Sequence, residues 1–328
     1  MDVPVVLCHR TAWQLYHAPR RQEAMSAPGH TGIMAPGLKA SQVMARVREV
    51  LLGCGVTPED AATIDILVPF VSQRCRTRGT RSHVFGRLIK EEMIAQVAEG
   101  VWVTNAALTF VQAAAWADPL ELLEFGYEAC GSYETFLGAG DAYRTRPALA
   151  TRADITGYLG LLGGANGVCR ARRTFSLVRE GSRSPMETAL AIMLALPRAQ
   201  GGMGLADFSM NHRVDIPTSM RTAFSSSFLE LDLYFPKAGL ALEYDGESHA
   251  ELKRRTHDAD RIAALSMLGI RVRTITSRHF SHKLEMHRAL NGIAQLLGAA
   301  PDTTAEFQEA QDALRKRVIR HWTQKGAH

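Results

Sequence analysis

Two short stretches near the middle of the second half constrain the fold most. Residues 228–235 read FLELDLYF and residues 240–245 read LALEYD. Each alternates apolar and polar side chains, and a strand, with its period of two, sorts such a pattern onto two faces. In the first, Leu229, Leu231, Leu233 and Phe235 fall on one side, with Glu230, Asp232 and Tyr234 on the other. In the second, Leu240, Leu242 and Tyr244 lie opposite Ala241, Glu243 and Asp245. Pro236-Lys237-Ala238-Gly239 between them has the composition of a hairpin turn. A symmetric turn pairs Phe235 with Leu240, so Asp232 faces Glu243, Glu230 faces Asp245, and four carboxylates share one patch. Opposed Cβ atoms are about 5 Å apart, and like charges near 4 Å repel by about 4 kcal/mol at an effective dielectric of 20. A hard divalent cation with oxygen ligands, Mg2+ or Mn2+, is the simplest counter-charge. The other reading of the same face is that it points to water, where mixed Asp and Glu cost little.

The flanking sequence weighs on that choice. Ser184-Pro185-Met186-Glu187 is a capping box ahead of an apolar helix, TALAIMLAL. After the hairpin, Gly246 ends the strand and His249 follows. A helix then carries Lys253, Arg254, Arg255, Asp258 and Arg261 before the strand IRVRTIT. A basic helix beside an acidic metal patch suits a phosphodiester, because the metal takes the scissile phosphate and the basic side chains hold its neighbours.

Residues 180 to about 280 resemble the very-short-patch-repair-like branch of the PD-(D/E)XK nuclease superfamily. The resemblance rests on Glu187, Asp232, the run Glu243-Tyr244-Asp245-Gly246 with His249 three residues on, and Asp258, Arg261, Leu265, Gly269 and Val272 at the family spacing. It implies an αβββαβ core in which Asp232 and Glu243 bind metal and Glu187 assists from the first helix, while Asp245 joins the expected metal ligands through the acidic patch. A metal-activated water then attacks phosphorus. The superfamily's E-x-K lysine is replaced here by Asp245. The branch commonly lacks that lysine, and His249 or Lys253 is then available for the proton chemistry or the positive charge. Each has an ordinary role as well: His249 as a surface histidine, Glu187 as the capping-box acid. His279 and His282 have H-x-x-H spacing but no acid or cysteine partner nearby, and read as surface residues.

The rest of the chain is consistent with two domains. At 328 residues and 46% hydrophobic content it can bury a substantial core. Cys8, Cys54, Cys75, Cys130 and Cys169 stand singly, which suggests neither a disulfide framework nor a zinc knuckle and fits a reducing cytoplasm. The start of the chain has no secretory pattern and no run reaches membrane-spanning length, so a cytoplasmic, membrane-free protein is expected. A net charge of +5 permits an anionic partner without demanding one. Arginine clusters at Arg74, Arg76, Arg78, Arg81 and Arg87, and again from Arg170 to Arg183, where it either meets phosphates or faces solvent.

Residues 21–40 read as a loop, 40–53 as a helix, and 64–69 and 101–104 as strands. Helices are expected after Asn105 and after Asp118-Pro119. Gly160, Gly163, Gly164 and Gly167 form neither dinucleotide nor P-loop spacing and read as turns and close packing. The segment Leu7 to Tyr133 loosely resembles the effector region of AbiEi-like antitoxin proteins, through CHRTAWQLYH, ILVPF and VWVTNAALTFVQAAAW. A winged helix-turn-helix usually comes first in such proteins, and none is expected ahead of Cys8.

The expectation is therefore an α+β chain with four parts: an AbiEi-effector-like mixed α/β domain at 1–150, a basic connector at 151–183, a nuclease-like domain at 184–298 and a polar helix at 299–328. The expected function is Mg2+- or Mn2+-dependent endodeoxyribonuclease, in defence or repair. Arg76, Arg78, Lys253, Arg254, Arg255 and Arg261 would contact nucleic acid, DNA in the first instance, with no organic cofactor. The alternatives are an inactive nuclease fold serving as a DNA-binding or antitoxin-related regulator, and a structural interaction module.

Overall fold

A computed structural model describes residues 5–21, 39–135, 143–220, 227–246, 261 and 263–320. The chain is a mixed α/β protein with two compact units. One comprises Met1–Ala129, Thr135–Ala142 and Ala148–Ser176; the other comprises Cys130–Glu134, Tyr143–Pro147 and Leu177–His328. The first unit thus extends past the expected boundary at 150, and the stretch read as a basic connector carries two helices, α5 (Arg152–Leu161) and α6 (Val168–Phe175). Among the described residues no helix is long and apolar enough to cross a membrane.

In the first unit the strands β1 (Val5–Leu7), β2 (Ile64–Val68), β3 (Thr80–Val84), β4 (Ile94–Ala98) and β5 (Val101–Thr104) form one sheet, ordered β3-β2-β1-β5-β4. The central β1 is antiparallel to β2 and parallel to β5. Its three residues, Val-Val-Leu, are buried, as befits a strand covered on both faces. Helices α1 (His9–Tyr16) and α2 (Ala40–Gly53) follow β1 and precede β2. Asn105 caps α3 (Ala106–Ala113) by accepting the amide of Leu108 at 2.8 Å. Every residue of α3 is buried, the polar Thr109 and Gln112 included, as in a helix enclosed on all sides. Asp118 starts α4 (Pro119–Ala129), taking the amides of Leu120 and Glu121 at 2.9 and 3.3 Å. The expected helices and strands from residue 40 to residue 129 are all present.

The second unit contains a two-stranded ribbon of β6 (Tyr133–Thr135, of which Thr135 is counted with the first unit) and β7 (Tyr143–Thr145), and a four-stranded sheet. Helix α7 (Pro185–Ala195) comes first, then β8 (Ser209–Asp215), β9 (Phe228–Phe235) and β10 (Leu240–Asp245). These three strands pair antiparallel in sequence order, and β11 (Arg271–Thr276) adds beside β10 in parallel. A parallel neighbour needs a crossover, and residues 263–267 are helical in that connection. Ala264 and Leu265 pack there with Ile216, Leu229, Leu231, Ala241 and Ile270 in one apolar cluster. The hairpin turn closes as the sequence indicates: residues 236–238 form a 3-10 turn and Gly239 takes φ +55°. A Cβ on Gly239 would also sit 3.1 Å from the carbonyl oxygen of Gly269, so glycine serves both the turn and the crossover. Helices α8 (Ser277–Ser281), α9 (Lys283–Leu296) and α10 (Ala305–Val318) complete this unit, α10 being the expected polar C-terminal helix.

Candidate functional site

The hairpin register runs from Phe235 opposite Leu240 to Leu233 opposite Leu242, as the turn requires. It stops one pair short of the acids. Where Asp232 and Glu243 should oppose each other, the Asp232 side chain turns across the gap and its Oδ2 accepts the amide of Tyr244 at 2.8 Å. A carboxylate replaces a backbone carbonyl in the ladder, a charge-assisted bond that holds Asp232 in one place.

Glu243 projects from β10 beside Arg261, whose Nη2 lies 2.6 Å from Glu243 Oε1. Glu187 enters from the first turn of α7. Ser184 accepts the Glu187 amide at 3.2 Å and donates its hydroxyl to Oε1 at 3.0 Å. Oε2 accepts the Arg183 amide at 2.9 Å and the Asn211 side-chain amide at 2.6 Å. Ser184 thus caps α7 as expected, but the reciprocal half of the capping box is not formed, because the Glu187 carboxylate takes the Ser184 hydroxyl and the Arg183 amide instead of the Ser184 amide.

Burial and mutual repulsion act on all three acids. Burial, Asp232 and Glu187 raise the pKa of Glu243 to about 7, against the pull of Arg261. Burial raises Asp232 above the ordinary carboxylate range, while the Tyr244 amide, Arg261 and Arg183 oppose the rise. Glu187 is raised by burial and then by Asp232, with the Arg183 amide, Asn211 and Ser184 opposing. Three carboxyl groups, from a helix and two strands, are thus each harder to ionise than in water.

Two expected members stand apart. Glu230 is not part of a shared acidic patch: Arg183 grips it bidentately at 2.6 and 2.7 Å, because the two face each other across solvent-accessible space. Asp245 is exposed at the end of β10, paired in register with Thr276. Arg76 and Arg78 are exposed in the loop before β3 of the first unit. His249, Lys253, Arg254 and Arg255 lie outside the described residues. His279 Nδ1 accepts the amide of Thr276 at 3.0 Å, a cap at the start of α8.

Asn211 is a member the sequence did not announce. It lies within β8 at φ +43°, a left-handed conformation that asparagine tolerates better than most residues. From there its side chain bridges Glu187 and the carbonyl of Gly181, at 2.6 and 2.8 Å.

Among the described residues, a set of at least three His, Cys, Asp or Glu with ligand atoms all within 4.8 Å of one another occurs at Cys8, His9 and His83, in the first unit. Neither Asp232, Glu243 and Asp245 nor Glu187, Asp232 and Glu243 close to that distance as a set. Comparison with protein-family models, with curated proteins and with solved structures gives no match for this chain.

Proposed function

We propose that the second unit is a PD-(D/E)XK-type domain that hydrolyses phosphodiester bonds in DNA with Mg2+ or Mn2+, in defence or repair. The observation that carries this reading is the electrostatic coupling among Glu187, Asp232 and Glu243, from α7, β9 and β10, with the pKa of all three raised. The order helix, three antiparallel strands, helical crossover and parallel strand supports an αβββαβ core of the restriction-endonuclease type.

The donor set fits a hard divalent cation: carboxylate oxygens, no sulfur and no imidazole. Asp232 and Glu243 would hold it. Such an ion, when bound, would polarise the phosphate and make its own water a nucleophile near neutral pH. The chain's own residues do the positioning. The Tyr244 amide fixes Asp232, and Asn211, Ser184 and the Arg183 amide fix Glu187. Arg183 and Arg261 border the acids and suit the phosphates on either side of the scissile one.

A second reading has its own support. Arg261 already supplies a positive charge to Glu243, at 2.6 Å, in the manner of a built-in counter-ion. An inactive nuclease fold that binds DNA as a regulator would keep that pair permanently. The two readings separate when the full-length protein is incubated with plasmid, single-stranded DNA and RNA, with and without Mg2+ or Mn2+, beside Asp232→Ala. The enzyme reading expects divalent-dependent cleavage of DNA by the wild type alone. Equal background cleavage by both proteins sinks it, and metal-indifferent, salt-sensitive DNA binding favours the regulator.

A further inference from the structure

The group formed by Cys8, His9 and His83 lies in the first unit and shares no residue with the carboxylates above. It is assembled by the central sheet. Cys8 follows directly on β1, His9 opens α1, and His83 sits on β3, two strands away. Three features point to a ligand rather than to packing.

The first is the set of atoms. The Sγ of Cys8 lies 3.2 Å from Nδ1 of His9, and one ligand atom from each of the three residues lies within 4.8 Å of the others. Sulfur at about 2.3 Å and nitrogen at about 2.1 Å from a tetrahedral zinc are about 3.6 Å apart. The Cys8–His9 pair is thus within a few tenths of an ångström of that edge.

The second is backbone strain. His9 adopts φ +49°, and it is one of two non-glycine residues with positive φ among those described. The conformation is anchored: the His9 amide donates to Gln112 Oε1 at 3.2 Å, and the Cys8 amide to the Asp65 carbonyl at 2.9 Å. Residues held in a sparsely populated backbone conformation by their surroundings concentrate at ligand and active sites. Here the two histidine rings lie stacked, 3.6 Å between centroids and 15° from parallel.

The third is the partner behind His83. Asp65, fully buried on β2, accepts from Nε2 of His83 at 2.8 Å, and Arg81 stands 3.5 Å from the same oxygen. A carboxylate that fixes the ring of a histidine is the usual outer support of a metal-ligating imidazole. His83 keeps a quarter of its side chain exposed, which gives an ion a way in.

We propose that Cys8 Sγ, His9 Nδ1 and a ring nitrogen of His83 bind one zinc-class divalent ion, with Asp65 orienting His83. Sulfur and nitrogen donors select zinc, or cobalt in its place, over magnesium. Binding expels the thiol proton of Cys8 to solvent, so the thiolate offsets one of the ion's two positive charges, while the Asp65 carboxylate is shared with Arg81. Three protein ligands leave a fourth position for water or a ligand from solution, the arrangement of a zinc site that remains chemically open.

The test adds Co2+ to the reduced, metal-stripped full-length protein and follows the near-ultraviolet thiolate-to-cobalt band, with Zn2+ competition to obtain affinity. One equivalent should saturate the band, and Zn2+ should erase it. Cys8→Ser should abolish the band. His83→Gln, at a partly exposed position that leaves the core intact, should weaken binding by about 100-fold, and Asp65→Asn by roughly 10–100-fold. If Cys8→Ser does not fold, the His83→Gln affinity decides alone. A wild type with no thiolate band, a band that persists in Cys8→Ser, or a His83→Gln affinity equal to wild type overturns the site.

Discussion

The guanidinium of Arg261 lies 2.6 Å from Oε1 of Glu243, the carboxyl group whose pKa burial and neighbouring acids push to about 7. The arginine pulls that pKa down, against burial and the neighbouring acids. Replacing it with Gln in the metal-free protein should raise the pKa of Glu243 further. At pH 8 the ionised group is then left without its partner, at a cost of about 1–3 kcal/mol. Thermal unfolding should show a larger loss at pH 8 than at pH 5, and Mg2+ should raise the melting temperature of Arg261→Gln more than that of the wild type.

The same carboxyl group sets a pH dependence of stability. Its folded pKa, about 7, is above the unfolded value of 4.5. Its contribution is therefore complete below 4.5 and is lost as pH rises through 7, because in that window the folded state holds a proton that the unfolded state has released. The raised values of Asp232 and Glu187 act in the same direction. Denaturant titrations of the metal-free protein between pH 4.5 and 7 should show stability falling, by at most about 1.4 kcal/mol per pH unit for each such group. In Glu243→Gln the slope should flatten, and an unchanged slope would assign the dependence elsewhere.

Asp232 offers a way to separate charge from scaffolding. The Tyr244 amide needs an acceptor, and Asn retains one. Asp232→Asn should unfold within about 0.5 kcal/mol of the wild type, whereas Asp232→Ala, which orphans the amide, should lose about 1–2 kcal/mol. Both should abolish any divalent-dependent cleavage, and chemical denaturation beside the cleavage assay measures the two effects independently.

Glu187 is held by its cap and by Asn211 whether or not a cation is present. Glu187→Ala should therefore destabilise the second unit by about 1–3 kcal/mol in EDTA as well as in Mg2+. A loss seen only with Mg2+ would show that its work is confined to the ion.

The hairpin was legible because an alternation of period two and a Pro-Lys-Ala-Gly turn leave one symmetric register, and Phe235 does pair with Leu240. What lies at its open end was not legible. Whether a strand pair continues or yields to a side chain depends on the Asp232 carboxylate competing for the Tyr244 amide, and alternation carries no record of that contest. The fate of Glu230 depends on Arg183, 47 residues earlier in the chain. The strand β8, Ser-Met-Asn-His-Arg-Val-Asp, has a single β-branched residue, so its role in presenting Asn211 is set by pairing with β9 rather than by propensity. His83 was hidden for a similar reason: β3 is short and half exposed, and its neighbours read as an arginine-rich loop. Adjacent Cys8 and His9 at a strand end were the available signal for that cluster.

Arg76 and Arg78 are exposed side chains of the first unit. If they neutralise phosphates, Ala at either position should weaken DNA binding equally for unrelated sequences and lower the slope of log affinity against log salt by about 1. An unchanged slope would remove them from the interface.

Binding of Mn2+ to the full-length protein, followed by the loss of the free-ion paramagnetic resonance signal, tests the acidic site most directly. The wild type should take up Mn2+ at a position that Mg2+ empties by competition, and Asp232→Asn, folded but short of one charge, should not. Identical uptake by the two proteins, or none by the wild type, would contradict a cation site at Glu187, Asp232 and Glu243.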